Sequence, residues 1–178
     1  MRHLLVPLLL CLLLAACGSS GSGDSANYVG GNVSLECAPF ARALTGVALR
    51  GDAADWWPHA AGHYARGNAP AVGSVLVFTR SSRLPYGHVA VVSQLMERRR
   101  ILVTQANWVH HRVTQGQSVI DVSPSNDWTE VRVYWPPSGQ MGSGLYTAYG
   151  FISPGRRTTQ DEIAQATPRA IKLAAAGN

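Results

Sequence analysis

Residues 87–107, with the sequence GHVAVVSQLMERRRILVTQAN, decide the fold of this chain. Two apolar runs flank the charged tetrapeptide at 97–100, a pattern that predicts two β-strands joined by a hairpin turn. Pairing these strands places His88, at the start of the first strand, beside Gln105 and Asn107 at the end of the second. The polar side chains should therefore meet at one end of a sheet.

Other short runs of branched and aromatic residues predict further strands. They lie at residues 75–78, 119–122 and 131–135, with a last edge strand at 149–152. Upstream of them, Phe40 and Leu44 recur at helical spacing, and residues 52–64 favour a weaker helix. Helices followed by a run of short strands predict an α+β fold, with N-terminal helices packed on an antiparallel β-sheet.

Cys37 lies where a thiol ionises easily. Pro39 lacks a backbone N–H and is tolerated in the first turn of a helix, so the helix should begin at or just before Cys37. The positive end of the helix dipole favours a thiolate there. With His88 as a base and Asn107 as an orienting residue, the sequence predicts a cysteine-nucleophile hydrolase. The alternative is a small buried cysteine.

Residues 1–16 have the features of a signal peptide. A short basic start precedes an apolar run at 4–14 that is too short to span a bilayer. The sequence LAAC that ends at Cys17 resembles a bacterial lipobox, which implies cleavage before Cys17 and attachment of lipid to it. The alternative is ordinary cleavage or an uncleaved segment. Residues 17–27 would then form a lipid-anchored, flexible tether.

A lipid-modified Cys17 would leave Cys37 without a disulfide partner. Of the three cysteines in the chain, Cys11 departs with the signal peptide and Cys17 is consumed by lipid. In an oxidising exported compartment, Cys37 would therefore persist as a free thiol.

Composition limits the classes of partner. The chain carries a net charge of +5, but its basic residues are scattered, so we expect no nucleic-acid partner and some attraction to anionic polymers of the cell envelope. Residues 28–153 are of a suitable length for one domain, which we expect to be monomeric. We expect residues 154–178 to form a mobile tail, in which residues 159–162 could form a capping box.

No cofactor is expected, because the sequence contains no nucleotide, flavin or haem motif. His59 and His63 are four residues apart, a spacing that would suit a metal site on a helix. Pro58 and Gly62 disturb that helix, so no metal site is predicted.

Five stretches occur in an order that is specific although each alone is weak. They are ECAPFAR at 36–42, GDAADWW at 51–57, GSVLVF at 73–78, GHVAVV at 87–92 and QANW at 105–108. This set resembles the CHAP domains, the cysteine- and histidine-dependent amidohydrolases and peptidases of the NlpC/P60 and papain-like group. The resemblance implies a papain-like, NlpC/P60-like fold. It also implies that Cys37 is the nucleophile, His88 the general base and Asn107 an orienting residue.

Gln105 departs from the family pattern, which often has Glu or Asp at this position. Its amide oxygen can accept a hydrogen bond from the imidazole but adds no negative charge. A Cys–His pair needs that charge less than a Ser–His pair does, so we expect reduced activity or a lowered histidine pKa before an inert protein. Either Gln105 or Asn107 could make the decisive contact.

The sequence therefore predicts an exported envelope lipoprotein that cleaves an amide in the peptide part of peptidoglycan. The expected activity is that of an N-acetylmuramoyl-L-alanine amidase or a peptide endopeptidase, with Tyr86, Trp108 and Trp57 at the substrate. Gly18, in place of Asp, follows Cys17. The resemblance to diderm lipoproteins then implies an anchor in the periplasmic face of the outer membrane. The alternative, supported by Gln105, is a weakly active or inactive lipoprotein that binds peptidoglycan or regulates another hydrolase.

Overall fold

The computed structural model describes residues 24–177. Its strands are β1 (Asn27–Val29), β2 (Ala65–Gly67), β3 (Val75–Phe78), β4 (His88–Glu97), β5 (Arg100–Ala106), β6 (Val113–Asp121), β7 (Glu130–Trp135), β8 (Gln140–Met141) and β9 (Tyr146–Ser153). Its α-helices are α1 (Cys37–Thr45), α2 (Trp56–His59) and α3 (Gln160–Ala176), with short 3-10 helices at Ala53–Asp55 and Pro136–Ser138. Within residues 24–177, no helix has both the length and the apolar character needed to cross a membrane.

The strands form a closed antiparallel barrel. Six of them pair in the cyclic order β6-β5-β4-β3-β9-β7, and β7 pairs back onto β6. The short strands β1 and β2 extend this barrel by pairing with β6 and β9. Closure removes the exposed edges that an open sheet would present.

The predicted α+β fold of papain-like or NlpC/P60-like type, with N-terminal helices packed on an antiparallel β-sheet, is wrong. The described chain is mostly β, its sheet closes on itself, and α3 follows the strands. The physical reason lies in β9, predicted as an edge strand. It pairs with β3 on one side and β7 on the other, and so joins the two ends of the sheet.

Two apolar cores explain why the central strands lack a simple alternation of apolar and polar residues. Side chains such as Ala90 and Val92 of β4 fill the barrel interior. Their neighbours Val89 and Val91 pack outside it, against α1 and α3. Because β4 is covered on both faces, its first half is a continuous apolar run.

The predicted hairpin is confirmed. Strand β4 pairs antiparallel with β5, and its turn lies at the expected place, with Glu97 opposite Arg100. The register brings the start of β4 beside the end of β5, where His88 and Gln105 are hydrogen-bonded. The hairpin therefore delivers the polar cluster that the sequence predicts.

Residues 154–178, predicted as a mobile tail, include α3, which packs against α1. The expected capping box is present. The Thr159 hydroxyl accepts a hydrogen bond from the Glu162 N–H, while the Glu162 carboxylate accepts one from the Thr159 N–H. Ile163, Ala170 and Ala174 of α3 are buried in the outer core, so this helix helps to hold α1 on the barrel.

Candidate active site

The first turn of α1 places Cys37 at the site. As predicted, the helix begins at Cys37, with Glu36 as its extended N-cap and Pro39 in its first turn. The helix ends at Thr45, and the next residue, Gly46, has a φ of 77°, which suits a left-handed C-cap. The N–H groups of Cys37 and Ala38 precede the first intrahelical hydrogen bond, which runs from the Phe40 N–H to the Glu36 carbonyl over 3.2 Å.

Burial reverses the expected acidity of the Cys37 thiol. The residue is only 9% exposed, and burial is the main reason that its pKa is raised to about 11. The carboxylate of Glu36 raises the pKa further, whereas backbone hydrogen bonds from Val89, Ala38 and Cys37 itself lower it. The predicted thiolate is therefore not the resting form, because burial outweighs the first-turn position.

Gly87 permits a tight approach that sets the position of His88. Its φ is 72°, and a Cβ there would lie 2.6 Å from the Ala54 Cβ and 2.7 Å from the Ala54 nitrogen. The Ala54 N–H donates to the Tyr86 carbonyl over 3.1 Å, so the 3-10 helix is hydrogen-bonded to the chain just before His88. Only glycine allows this packing without strain.

The His88 imidazole is buried at one end of the barrel. Its Nε2 lies 2.8 Å from Gln105 Oε1, and its ring meets Phe78 and Trp108 edge to face, with centroids 5.6 and 5.0 Å away. Burial lowers the pKa of His88 to about 4, and the bond to Gln105 opposes this only in part. A lowered pKa of His88 is the direction expected from the sequence, but its principal cause is burial and not the missing charge at Gln105.

Asn107 contacts the helix start instead of His88. Its Nδ2 donates to Glu36 Oε2 over 3.1 Å, and its Oδ1 accepts from the His111 N–H over 3.0 Å. The His111 carbonyl in turn accepts from the Val33 N–H over 2.9 Å. Asn107 thus fixes Glu36 and the loop before α1, while Gln105 is the residue bonded to the imidazole.

Cys37 and His88 line one cleft of about 620 Å³. The cleft lies between the start of α1, the loop before β4 and Asn107, and it includes Tyr86. In the described part of the chain no hydrogen bond joins the thiol to the imidazole. Catalytic hydrogen bonds are often long without substrate, and this arrangement still suits a nucleophile with a nearby base.

The aromatic residues predicted at the substrate have different surroundings. Tyr86 is 67% exposed and lines the cleft. Trp108 is half-buried and packs on Phe78 and His88 at the end of the barrel. Trp57 stacks on Tyr149 with ring centroids 5.8 Å apart, and neither Trp57 nor Trp108 lines the cleft.

Sequence reasoning missed a buried polar chain behind His88. Gln105 Nε2 donates to Gln117 Oε1 over 2.9 Å, and Gln117 Nε2 donates to the Tyr134 carbonyl over 2.7 Å. The Thr114 hydroxyl also donates to Gln117 Oε1. A polar residue on a strand usually faces water, so the sequence carried no signal that Gln117 is buried.

Sequence reasoning also missed the charged groups of the cleft. Arg42, Arg50 and Arg83 line it, together with Glu36 and Asp52. No group of three or more His, Cys, Asp or Glu residues within 24–177 could hold a metal ion. The predicted signal peptide and the predicted lipidation site Cys17 lie outside the described residues.

Comparisons with known proteins bear on the family. Residues 26–107 match the family model of the CHAP domain. A solved structure titled "The crystal structure of Ly7917" is 17% identical, covering 72% of this chain and 91% of that one, with a TM-score of 0.33. No curated protein matches the chain. The matched segment contains Cys37, His88, Gln105 and Asn107, and members of the CHAP family are typically cysteine- and histidine-dependent amidases or peptidases.

Proposed function

We propose that this protein hydrolyses an amide bond in the peptide part of peptidoglycan, through an acyl-enzyme on Cys37. The observation that carries the proposal is the single cleft lined by both Cys37, at a helix N-terminus, and His88. The family match supports the reaction class, since it joins a cysteine and a histidine in amide hydrolysis. The bond would be either the N-acetylmuramoyl-L-alanine amide or a peptide bond of the stem or cross-bridge.

The proposed reaction uses His88 as base and then as acid. Because Gln105 Oε1 can only accept a hydrogen bond, the proton lies on His88 Nε2 and the basic lone pair on Nδ1. Nδ1 takes the thiol proton as sulfur attacks the carbonyl carbon, and the imidazolium then protonates the leaving amine. His88 next deprotonates the water that hydrolyses the thioester, which releases a carboxylic acid and restores the thiol.

The oxyanion would be stabilised at the start of α1. The Cys37 and Ala38 N–H groups have no intrahelical acceptor, and the positive end of the helix dipole lies at the same turn. Such fixed donors stabilise the negative charge that develops on the carbonyl oxygen.

Both charged groups of a thiolate–imidazolium pair are disfavoured in the free protein. The pKa of Cys37 is about 11 and that of His88 about 4, so the resting site holds a neutral thiol and a neutral imidazole. Proton transfer would therefore accompany attack on bound substrate, as in general-base catalysis.

The charges in the cleft favour an acidic peptide as substrate. Arg42 and Arg50 lie close enough that Arg50 lowers the pKa of Arg42, although burial lowers it more. Within residues 24–177, neither guanidinium forms an ion pair with a carboxylate. Two unpaired cations in a cleft attract an anionic ligand, and the stem peptides of peptidoglycan carry free carboxylates.

Digestion of purified peptidoglycan, followed by mass spectrometry of the released fragments, tests the proposal and names the bond. We expect the full-length protein to release fragments and Cys37→Ala to release none. Cys17→Ser is the matched control, because it removes the other cysteine of the processed chain and should leave cleavage by purified protein unchanged. An inactive wild type, or an active Cys37→Ala protein, would contradict the proposal.

A second candidate function, binding without hydrolysis, is favoured by the burial of the thiol and its raised pKa. In that case the wild type would sediment with insoluble peptidoglycan but release no fragments. The same digestion separates the two functions.

Export and lipid anchoring complete the proposal. We expect labelled fatty acid to be incorporated by the wild type and lost in Cys17→Ser. Label that persists in this variant would exclude Cys17 as the lipidated residue. Fractionation of labelled cells would then test the expected position at the periplasmic face of the outer membrane.

A further inference from the structure

Gln117 is a buried residue behind His88 that the reaction itself does not use. It lies on β6, is fully buried, and makes three side-chain hydrogen bonds, with Gln105, Thr114 and the Tyr134 carbonyl. A buried glutamine destabilises the fold unless each of its donors faces an acceptor and its oxygen faces donors.

The Tyr134 carbonyl sets the donor and acceptor roles along the whole series of hydrogen bonds that leads to His88. A backbone carbonyl can only accept, so Gln117 must present its NH₂ group to it over 2.7 Å. The Gln117 oxygen then points at Gln105, which must donate its own NH₂ group over 2.9 Å. The Gln105 oxygen is left to face His88 Nε2 at 2.8 Å, and that nitrogen must carry the proton.

We propose that Gln117, anchored on the Tyr134 carbonyl, is a positioning residue that holds His88 in the tautomer protonated at Nε2. The Nδ1 lone pair is thereby kept free for the proton of the Cys37 thiol. The link to catalysis rests on the proposed function, whereas the tautomer itself is a property of the free protein.

The need for such a residue follows from the amide at position 105. A carboxylate has only acceptors, so it fixes the tautomer of a neighbouring histidine without help. A glutamine can rotate its amide by half a turn and present NH₂ to the ring, which would then place the proton on Nδ1. In this site the rotation would set the Gln105 oxygen against the Gln117 oxygen, so the buried hydrogen bond between the two amides would be lost.

Nitrogen NMR of the full-length protein with ¹⁵N-labelled histidine tests the tautomer without substrate. The wild type should show a protonated Nε2 and an unprotonated Nδ1 for His88, assigned by comparison with His88→Gln. Gln117→Met removes the anchor at similar volume, and it should give a mixture of the two tautomers. It should also lower kcat, about twofold for an equal mixture, with little change in KM, because the imidazole is correctly protonated only part of the time.

Two variants separate this directional effect from a loss of packing. Gln117→Glu can still accept from Gln105, so it should keep the Nε2 tautomer. Thr114→Val removes a hydrogen bond to the same Gln117 oxygen but leaves the amide chain intact, and it should also keep the tautomer.

A wild type protonated at Nδ1 would overturn the proposal. So would a Gln117→Met protein that retains the wild-type tautomer, or a Thr114→Val protein that loses it. If Gln117→Met does not fold, the wild-type and Gln117→Glu spectra still test the proposal, because loss of the Nε2 tautomer in either protein would overturn it. An inactive wild type with the expected tautomer would contradict the proposed function alone.

Discussion

At the scale of single residues, burial has the largest effect on the protonation of the site. It raises the pKa of the Cys37 thiol, and the backbone hydrogen bonds to the sulfur, two of them from the first turn of the helix, only partly oppose this. Burial also lowers the pKa of His88, so it disfavours the charged imidazolium. In the proposed reaction, substrate binding must therefore supply the charge stabilisation that the free site lacks.

Alkylation of Cys37 by iodoacetamide tests this electrostatic state. The rate in the folded protein should stay low at neutral pH and rise towards pH 11, well above the range of an ordinary thiol, because burial disfavours the thiolate. Glu36→Gln should move the rise to lower pH, since the carboxylate raises the pKa of the thiol. Arg98→Gln, at the exposed hairpin tip, serves as the control that alters a remote charge. Rapid alkylation of the wild type at pH 7 would contradict the neutral resting state.

Gln105→Glu should change both the charge and the stability of the site. A carboxylate beside Nε2 favours the imidazolium, so the pKa of His88 should rise from about 4. The new oxygen cannot donate to Gln117, so we expect the free energy of unfolding to fall by about 1–3 kcal/mol. NMR titration and urea denaturation measure the two effects. Gln115→Glu, on β6, makes the same change of charge and should leave the pKa of His88 unchanged; an equal shift there would exclude a specific contact.

At the scale of secondary-structure elements, Gly87 determines how closely the 3-10 helix can approach β4. Gly87→Ala combines an unfavourable positive φ with a methyl group 2.6 Å from Ala54 Cβ. We expect it to lower the free energy of unfolding by about 2–5 kcal/mol and to reduce activity, because His88 must shift. The measurement is urea denaturation of both proteins.

Gly62→Ala is the matched control for this prediction. Gly62 has a φ of 77°, close to that of Gly87, but a Cβ there would meet nothing within 4 Å. Gly62→Ala should therefore lower the free energy of unfolding only through backbone strain, by about 1–2 kcal/mol. Equal losses in the two variants would show that the contact with Ala54 does not matter.

Local elements of this fold were predictable, whereas its closure was not. The limits of β3, the turn at 97–100 and the start of α1 follow from local patterns of apolar residues, charge and proline. The pairing of β9 with β3 and β7 depends on contacts between segments about 70 and 15 residues apart, and no local pattern encodes them.

The candidate site divides in the same way. The approach of His88 to Gln105 was predictable because one hairpin contains both residues. The position of Gln117 depends on how β6 and β7 complete the barrel, so it could be seen only in the structure.

At the scale of the whole molecule, the buried imidazole makes folding sensitive to acid. The unfolded chain binds a proton on His88 near pH 6.5, but the folded chain does so only near pH 4. Stability should therefore fall by about 3 kcal/mol from this residue as the pH decreases through that window. Urea denaturation at pH 7 and pH 4 measures the loss, which His88→Gln should reduce. His63→Gln, at an exposed histidine, should not; a wild type equally stable at both pH values would contradict the prediction.

The distribution of charge around the cleft leads to a prediction about substrate choice. Both carboxylates of the cleft wall are already engaged, Glu36 with Asn107 and Asp52 with Arg80. The guanidinium of Arg42 donates to the Leu49 carbonyl, and its neighbour Arg50 is exposed to the cleft. An incoming carboxylate would thus meet unpaired positive charge without displacing an existing ion pair.

Arg50→Gln should weaken binding of peptides that carry a free carboxylate. We expect KM to rise about tenfold for such a peptide, with kcat little changed, because a charge-assisted hydrogen bond that is equal in the ground and transition states contributes to binding alone. For the same peptide with its carboxylate amidated, wild type and variant should have equal KM values. Arg98→Gln removes the same charge from the hairpin tip, outside the cleft, and should leave both KM values unchanged. If Arg98→Gln raises KM as much as Arg50→Gln does, the net charge of the protein attracts the substrate and the cleft contains no specific carboxylate site.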